Sequence, residues 1–138
     1  GIAPISAAFG VLNEPMAEAM FLNPMPDRLP GVGSDVKDPT VTELAYTEVP
    51  TSCLGELTNL IMGTSTMMKE ITCPALIIQS RDDHVVPARN ADLILAEISS
   101  DDKRLLWLNE SYHVATLDND KDLIVDQVGT FFQALAAA

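Results

Sequence analysis

The second half of the chain alternates two hydrophobic patterns. Cys73-Pro74-Ala75-Leu76-Ile77-Ile78-Gln79-Ser80 is a short apolar run with turn residues on both sides. Its length and β-branched content predict a strand buried on both faces. Pro74 falls at its start, where no ladder bond need be donated. From Asn90 to Ile98 the apolar positions are Ala91, Leu93, Ile94, Leu95 and Ile98, a helical spacing. Pro87 and Ala88 precede it, where a fixed φ is welcome. After the polar turn Ser99 to Asp102, Lys103 to Leu108 predicts a second buried strand through Leu105-Leu106-Trp107-Leu108. A loop from Asn109 to Asp118 follows. Asp120 to Leu135 then carries a helical stripe of Leu123, Ile124, Val128, Phe131, Phe132 and Leu135. Asp120 and Asp122 sit near its start, where the helix dipole favours acids. Strand, helix, strand, helix predicts an α/β fold with a parallel sheet and right-handed crossovers. Two strands do not bury two helices, so more sheet must come from elsewhere.

The first half is irregular. Gly1 to Ala8 is a third strand candidate. Beyond it Pro15, Pro24, Pro26, Pro30, Pro39 and Pro50 divide the chain into short segments. Met16 to Leu22 predicts a short helix. Val41 to Tyr46 predicts another, capped by Thr40. Leu54 to Met68 is the longest helical candidate, with Leu57, Leu60, Ile61, Met67 and Met68 on its apolar side. The expectation is short helices joined by loops, without a second sheet. No internal repeat is present.

Composition narrows the class. The chain has 138 residues, 47% hydrophobic and 20% charged, as ordinary globular domains do. One domain, or one with an appendage, is expected at this length. No apolar run reaches the ~18–20 residues of a bilayer span. Lys and Arg number 8 against 20 Asp and Glu, a net charge of −12. A phosphate backbone repels such a surface, which argues against nucleic acid as a partner. Cys53 and Cys73 match no metal knuckle or redox pair. As unpaired thiols they fit a reducing, cytoplasmic setting, with a disulfide between them the lesser alternative. Gly1-Ile2-Ala3-Pro4 shows no basic leader or cleavable apolar segment. Its lack of an initiator Met points to processing, a tag remnant or a start in mid-protein.

Two loops carry candidate chemistry. Ser80-Arg81-Asp82-Asp83-His84-Val85-Val86-Pro87 follows the first predicted strand, and Glu110-Ser111-Tyr112-His113-Val114 follows the second. In a parallel sheet such loops emerge together at the carboxyl edge, where sites form. The interval from Asp83 to His113 holds about one helix, one strand and two loops. An Asp and a His are therefore expected to meet there. A carboxylate that accepts from an imidazole fixes its tautomer and stabilises its protonated form, the base half of a Ser-His-Asp triad.

At these residues a resemblance becomes specific. Residues 71–135 resemble the C-terminal part of an α/β-hydrolase, in the group of small carboxylesterases and monoacylglycerol lipases. Ile71 to Ile78 resembles that family's strand before the acid loop. Arg81 to Pro87 resembles its acid loop, and Ser111-Tyr112-His113-Val114 with Leu117-Asp118 its histidine loop. The resemblance implies that Asp83 is the acid and His113 the base, in the family order of nucleophile, acid, base. Tyr112 stands where the family usually has Gly. Residues 1–8 would be the core strand before a cap, residues 9–69 a helical cap or lid, and residues 70–138 the βαβα part of the core. Met16, Met20 and Phe21, with Leu22 and Met25, would line an acyl pocket, since thioethers suit varied chains. The plainer alternative is that they fill a small core.

The family also needs Gly-x-Ser-x-Gly on a strand-to-helix turn upstream of the cap. This chain has none. Ser34, in Gly31-Val32-Gly33-Ser34-Asp35, lacks a preceding strand, and Ser65 lies late in a helical pattern. The oxyanion loop is missing as well. The expectation is thus a carboxylic-ester hydrolase fragment that supplies acid and base, is inactive alone, and needs a missing N-terminal half. Its substrate would be a small ester or an acylglycerol, with no cofactor and no metal. A different reading is a non-catalytic module of hydrolase ancestry that binds a partner or self-associates through an exposed strand edge. Asp82 is the rival acid. A metal cluster of His84, Asp82, Asp83 and His113 is a remoter reading, because adjacent loop residues seldom converge on one ion. Arg81 is expected to pair with local acids, and Trp107 and Tyr112 to pack. The acids from Asp118 to Asp126 read as a solvated helix face and cap.

Overall fold

A computed structural model describes residues 1–137. The sheet predicted from the second half is present. Strand β3 (Ala75–Ser80) pairs in parallel with β4 (Lys103–Leu108), in register from Ala75 opposite Lys103 to Ser80 opposite Leu108. Helix α3 (Arg89–Glu97) connects them, and α4 (Lys121–Ala136) follows β4. All six residues of β3 are buried. Successive side chains leave a strand on opposite faces, so β3 serves two cores. Ala75 and Ile77 pack with Ala91, Ile94 and Ile98, toward α3. Leu76 and Ile78 pack with Ile124 and Phe131 of α4.

The predicted strand Gly1 to Ala8 forms only in part. Ile2 N–H donates to Pro74 O, and Leu76 N–H donates to Ile2 O, both at 2.9 Å. Further along, Ile78 N–H donates to Pro4 O and Ser6 N–H to Ile78 O, again at 2.9 Å. Residues 2, 4 and 6 thus face β3 in parallel sense, as two separate bridges. Pro4 explains the gap, because its nitrogen has no proton to donate. Ser6 then turns off the edge with φ +47°.

Helix α1 (Glu14–Ala19) covers part of the predicted Met16 to Leu22. It starts earlier because the Asn13 side chain accepts the Met16 N–H at 2.9 Å, and Pro15 fits the first turn. Helix α2 (Ser52–Ser65) buries none of its residues. Thr58 and Thr64 turn their hydroxyls back to the carbonyls of Leu54 and Leu60, as they do on solvated helix faces. Two expectations are corrected. Val41 to Tyr46 forms no helix: Leu44 and Tyr46 are exposed, so there is no apolar stripe to bury. Thr40 gives its hydroxyl and its N–H to Asp38 Oδ1 instead of capping. A small second sheet also exists, since β1 (Arg28–Pro30) pairs antiparallel with β2 (Glu48–Pro50). Just beyond it Gly31 N–H donates to Thr47 O at 2.8 Å. A Cβ at Gly31 would collide with the Tyr46 carbonyl, so the ribbon needs glycine there.

The two-sided burial of β3 predicts a sharp contrast. Ile78→Ala should lower unfolding free energy by about 2–5 kcal/mol, whereas exposed Leu44→Ala should change it by no more than about 0.5 kcal/mol. Urea denaturation of both variants checks this; equal losses would contradict the assigned core.

Candidate functional site: an acid–histidine pair at the sheet edge

Parallel pairing ends β3 and β4 at one edge, and both candidate loops begin there. Ser80, the last residue of β3, donates its hydroxyl to the Ser111 carbonyl and accepts the Asp82 N–H at 3.2 Å. The acid loop and the histidine loop are joined at their roots. Beyond this joint His113 Nδ1 lies 3.0 Å from Asp83 Oδ2. An ionised carboxylate has no proton to give, so Nδ1–H is the donor and Nε2 is left free.

Every acceptor site of Asp83 is used. Oδ2 also takes Gln79 Nε2–H at 2.8 Å. Oδ1 takes the N–H groups of Val85 at 2.9 Å and Val86 at 2.7 Å. The Asp83 side chain is fully buried, while that of His113 is 28% exposed. Burial opposes the Asp83 charge, but the His113 ring and the N–H groups of Val86 and Val85 hold its pKa below the ordinary value. His113 moves the other way. Its hydrogen bond to Asp83 raises the imidazole above its usual pKa against the effect of burial, and the charges of Asp83, Asp35 and Glu43 add to the rise.

Asp82 turns elsewhere, its carboxylate 58% exposed and 3.9 Å from Lys37 Nζ. Arg81 packs its guanidinium over the Trp107 ring at 4.5 Å and donates to Asn109, so its partner is an amide and not an acid. His84 pairs with Asp35, Nδ1 to Oδ1 at 2.7 Å. Of the serines weighed from sequence, Ser34 Oγ accepts the Glu43 N–H and Ser65 Oγ donates to Met62 O. Among the described residues no serine hydroxyl bonds the His113 ring. Ser6 donates its hydroxyl to the His113 carbonyl at 3.1 Å and, with Glu43, borders a hollow beside that histidine.

An apolar cavity of about 520 Å³ lies near the acid loop, bounded by Met16, Leu29, Val32, Leu54, Leu57 and His84. Met20 borders a smaller hollow with Met25. Phe21 is 87% exposed and lines neither, because α1 ends two residues before it. Cys53 and Cys73 are unpaired, and no helix among the described residues is long and apolar enough to cross a membrane.

Two residues of this site escaped the sequence reading. Asp35, in an irregular stretch without periodicity, accepts from both loops. Asp118, read as part of a solvated face, is fully buried. Its carboxylate takes the N–H groups of Lys37, Asp38, Tyr112 and Asn119. Burial works upward on its pKa, but these donors hold it below the ordinary value. Asp120 links the histidine loop to α4 by accepting Glu110 N–H and Ser111 Oγ–H.

A parallel sheet flanked by helices, with an acid and a histidine on its carboxyl edge, defines part of an α/β-hydrolase. The serine aminopeptidase S33 family profile matches residues 36–120, and the chain belongs to that family. It is 44% identical over 134 residues to the thermostable monoacylglycerol lipase of Bacillus sp. strain H-257, covering 96% of this chain and 52% of that protein. It is 34% identical over 90 residues to a carboxylesterase of Bacillus subtilis strain 168, covering 65% of this chain and 37% of the relative. Among solved structures it is similar, with a TM-score of 0.89 and 46% identity, to one from a study of LipS and LipT, two metagenome-derived lipolytic enzymes. That match covers 97% of this chain and 55% of the other. The monoacylglycerol lipase of Paleococcus ferrophilus shares the fold, with a TM-score of 0.71 at 14% identity, over 94% of this chain and 57% of that one. The chain thus spans about half the length of these relatives or less.

The opposed pKa shifts predict a pH window. Asp83 is depressed on folding, so its contribution to stability is complete above about pH 4 and lost as pH falls through its folded pKa. His113 is raised, so its contribution is complete below about pH 6.5 and lost as pH rises through its folded pKa. Both are present between these limits. The stability lost on Asp83→Asn should therefore be greater at about pH 5.5 than at about pH 9. Urea denaturation at both values checks it, and equal losses would contradict the coupling.

Proposed function

We propose that this chain supplies the acid and the base of a serine carboxylic-ester hydrolase of the esterase or lipase type. The observation that carries the reading is the Asp83–His113 hydrogen bond of 3.0 Å at the carboxyl edge of a parallel sheet. The lipase and esterase relatives support it. In this reading a serine from outside the chain is the nucleophile. His113 Nε2 takes the serine proton as Oγ attacks the ester carbonyl, and Asp83 stabilises the imidazolium. The same proton then passes to the leaving alcohol, leaving an acyl-serine. Water, deprotonated by His113, releases the acid and restores the serine.

Residues 1–8 then act as the core strand before a cap, residues 9–69 as the cap, and residues 70–138 as the core behind the triad loops. The apolar cavity takes the acyl chain of a small ester or an acylglycerol, with Met16 in its wall. Unpaired Cys53 and Cys73 favour a reducing, cytoplasmic setting. Alone, the chain is inactive for want of a nucleophile. A second reading is a self-associating module: residues 2, 4 and 6 turn toward β3, so the outer backbone groups of residues 3 and 5 are open to another strand.

Intact-mass analysis with a fluorophosphonate, which labels activated serines, tests the need for an outside nucleophile. No adduct on the folded 138-residue chain is expected, and a stoichiometric adduct would overturn the need for an outside nucleophile. In the protein completed by its nucleophile half, Asp83→Asn should lower kcat by about 10⁴-fold; retained turnover would remove Asp83 from the triad. Met16→Trp, which fills the cavity, should shift preference toward shorter acyl chains, and an unchanged chain-length profile would exclude this cavity as the acyl site.

A further inference from the structure

Asp35 belongs to no helix or strand, yet it is 7% exposed. A carboxylate withdrawn from water needs donors, and Asp35 draws them from both loops. Its Oδ2 accepts the backbone N–H of His84 at 3.2 Å and that of His113 at 3.0 Å. Its Oδ1 takes the ring of His84 at 2.7 Å. The Asp35 carbonyl accepts the Val114 N–H at 3.1 Å. Two residues further on, the grip is returned. Asp118 holds the N–H groups of Lys37 and Asp38 at 2.7 and 3.0 Å, and that of Tyr112 at 2.8 Å.

One carboxylate oxygen thus holds the residue after Asp83 and the backbone of His113 itself. The 3.0 Å contact between Asp83 and His113 spans two loops whose relative position that oxygen fixes. His84, the third partner, is also part of the apolar cavity wall.

We propose that Asp35 is a positioning residue for the Asp83–His113 pair: it pins the acid loop to the histidine loop through one carboxylate oxygen and, through His84, ties the pair to the wall of the apolar cavity. What chemistry the pair performs rests on the hydrolase reading above; the positioning does not. The groups that face His113 are Asp83, Asp35 and Glu43, and the negative charge of Asp35 further favours the protonated ring.

Proton NMR of the full 138-residue chain at about pH 5.5, where the imidazole is protonated, reads the pair without substrate. The downfield His113 Nδ1–H signal is assigned by its loss in D83N. In D35A that signal should broaden or vanish while the amide spectrum of β3 and β4 is kept. D35N, whose amide oxygen still accepts the two backbone N–H groups, should retain it. K37A should retain it too, since Lys37 reaches Asn109 and Glu110 from the same segment. An unchanged signal in D35A would overturn the proposal. Hydrogen exchange on the unsubstituted chain covers the case in which D35A does not fold. The His84 and His113 amides should be protected by at least about 100-fold, and exchange at the rate of free loop amides would overturn the proposal. In the protein completed by its nucleophile half, retained turnover in D83N would remove Asp83 from the triad and leave the positioning untouched, so the two fail separately.

Discussion

The site depends on the parallel ladder between β3 and β4. Asp83 and His113 are 30 residues apart in sequence, and neither loop has a reason of its own to approach the other. Six residue pairs in register bring both strands to the same edge. The Ser80 hydroxyl on the Ser111 carbonyl continues the joint past the last pair. The ladder also fixes which side chains face each helix. A slip of one residue would exchange the two faces of β3, sending Ile77 and Ile78 to the wrong cores. Register at the site and packing in both cores are therefore one constraint.

Beyond the ladder, three buried or half-buried carboxylates organise the loops, and none is paired with a Lys or Arg among the described residues. Asp83, Asp35 and Asp118 collect mainly backbone N–H groups. Such donors stabilise a carboxylate without cancelling its charge. The neighbourhood of His113 stays electronegative, and its imidazolium is favoured. The Lys37 ammonium stays at the rim with Glu110 and Asp82. The acid excess, −12 over 138 residues, is thus partly put to structural use.

The β3–α3–β4–α4 unit was legible because its periodicities are strong; β4 matches residue for residue. That an Asp and a His meet at one edge followed from the same reasoning, since strand order carries both loops there; the choice of Asp83 over Asp82 came from the resemblance to a hydrolase acid loop. The first half was not legible to the same depth. Its elements are held by contacts that leave no local pattern. Asn90, buried within α3, bonds Val11 through both backbone groups. The β1–β2 ribbon has three pairs, too few to show alternation. Leu44 and Tyr46 lie in the segment expected to be helical, but both are exposed. Asp118 looked like one acid in a solvated series because its four donors come from three separate places on the chain.

The reach of Asp35 has a consequence for how the molecule assembles. Its partners are 49 and 78 residues distant, whereas the β3–α3–β4 unit closes over about half the shorter span. Loop-closure entropy disfavours early formation of such distant contacts. The sheet and its helices therefore have a route to form first, with the strap around Asp35 seating last. Until it seats, a nascent chain can hold most of its hydrophobic core and still lack an ordered histidine.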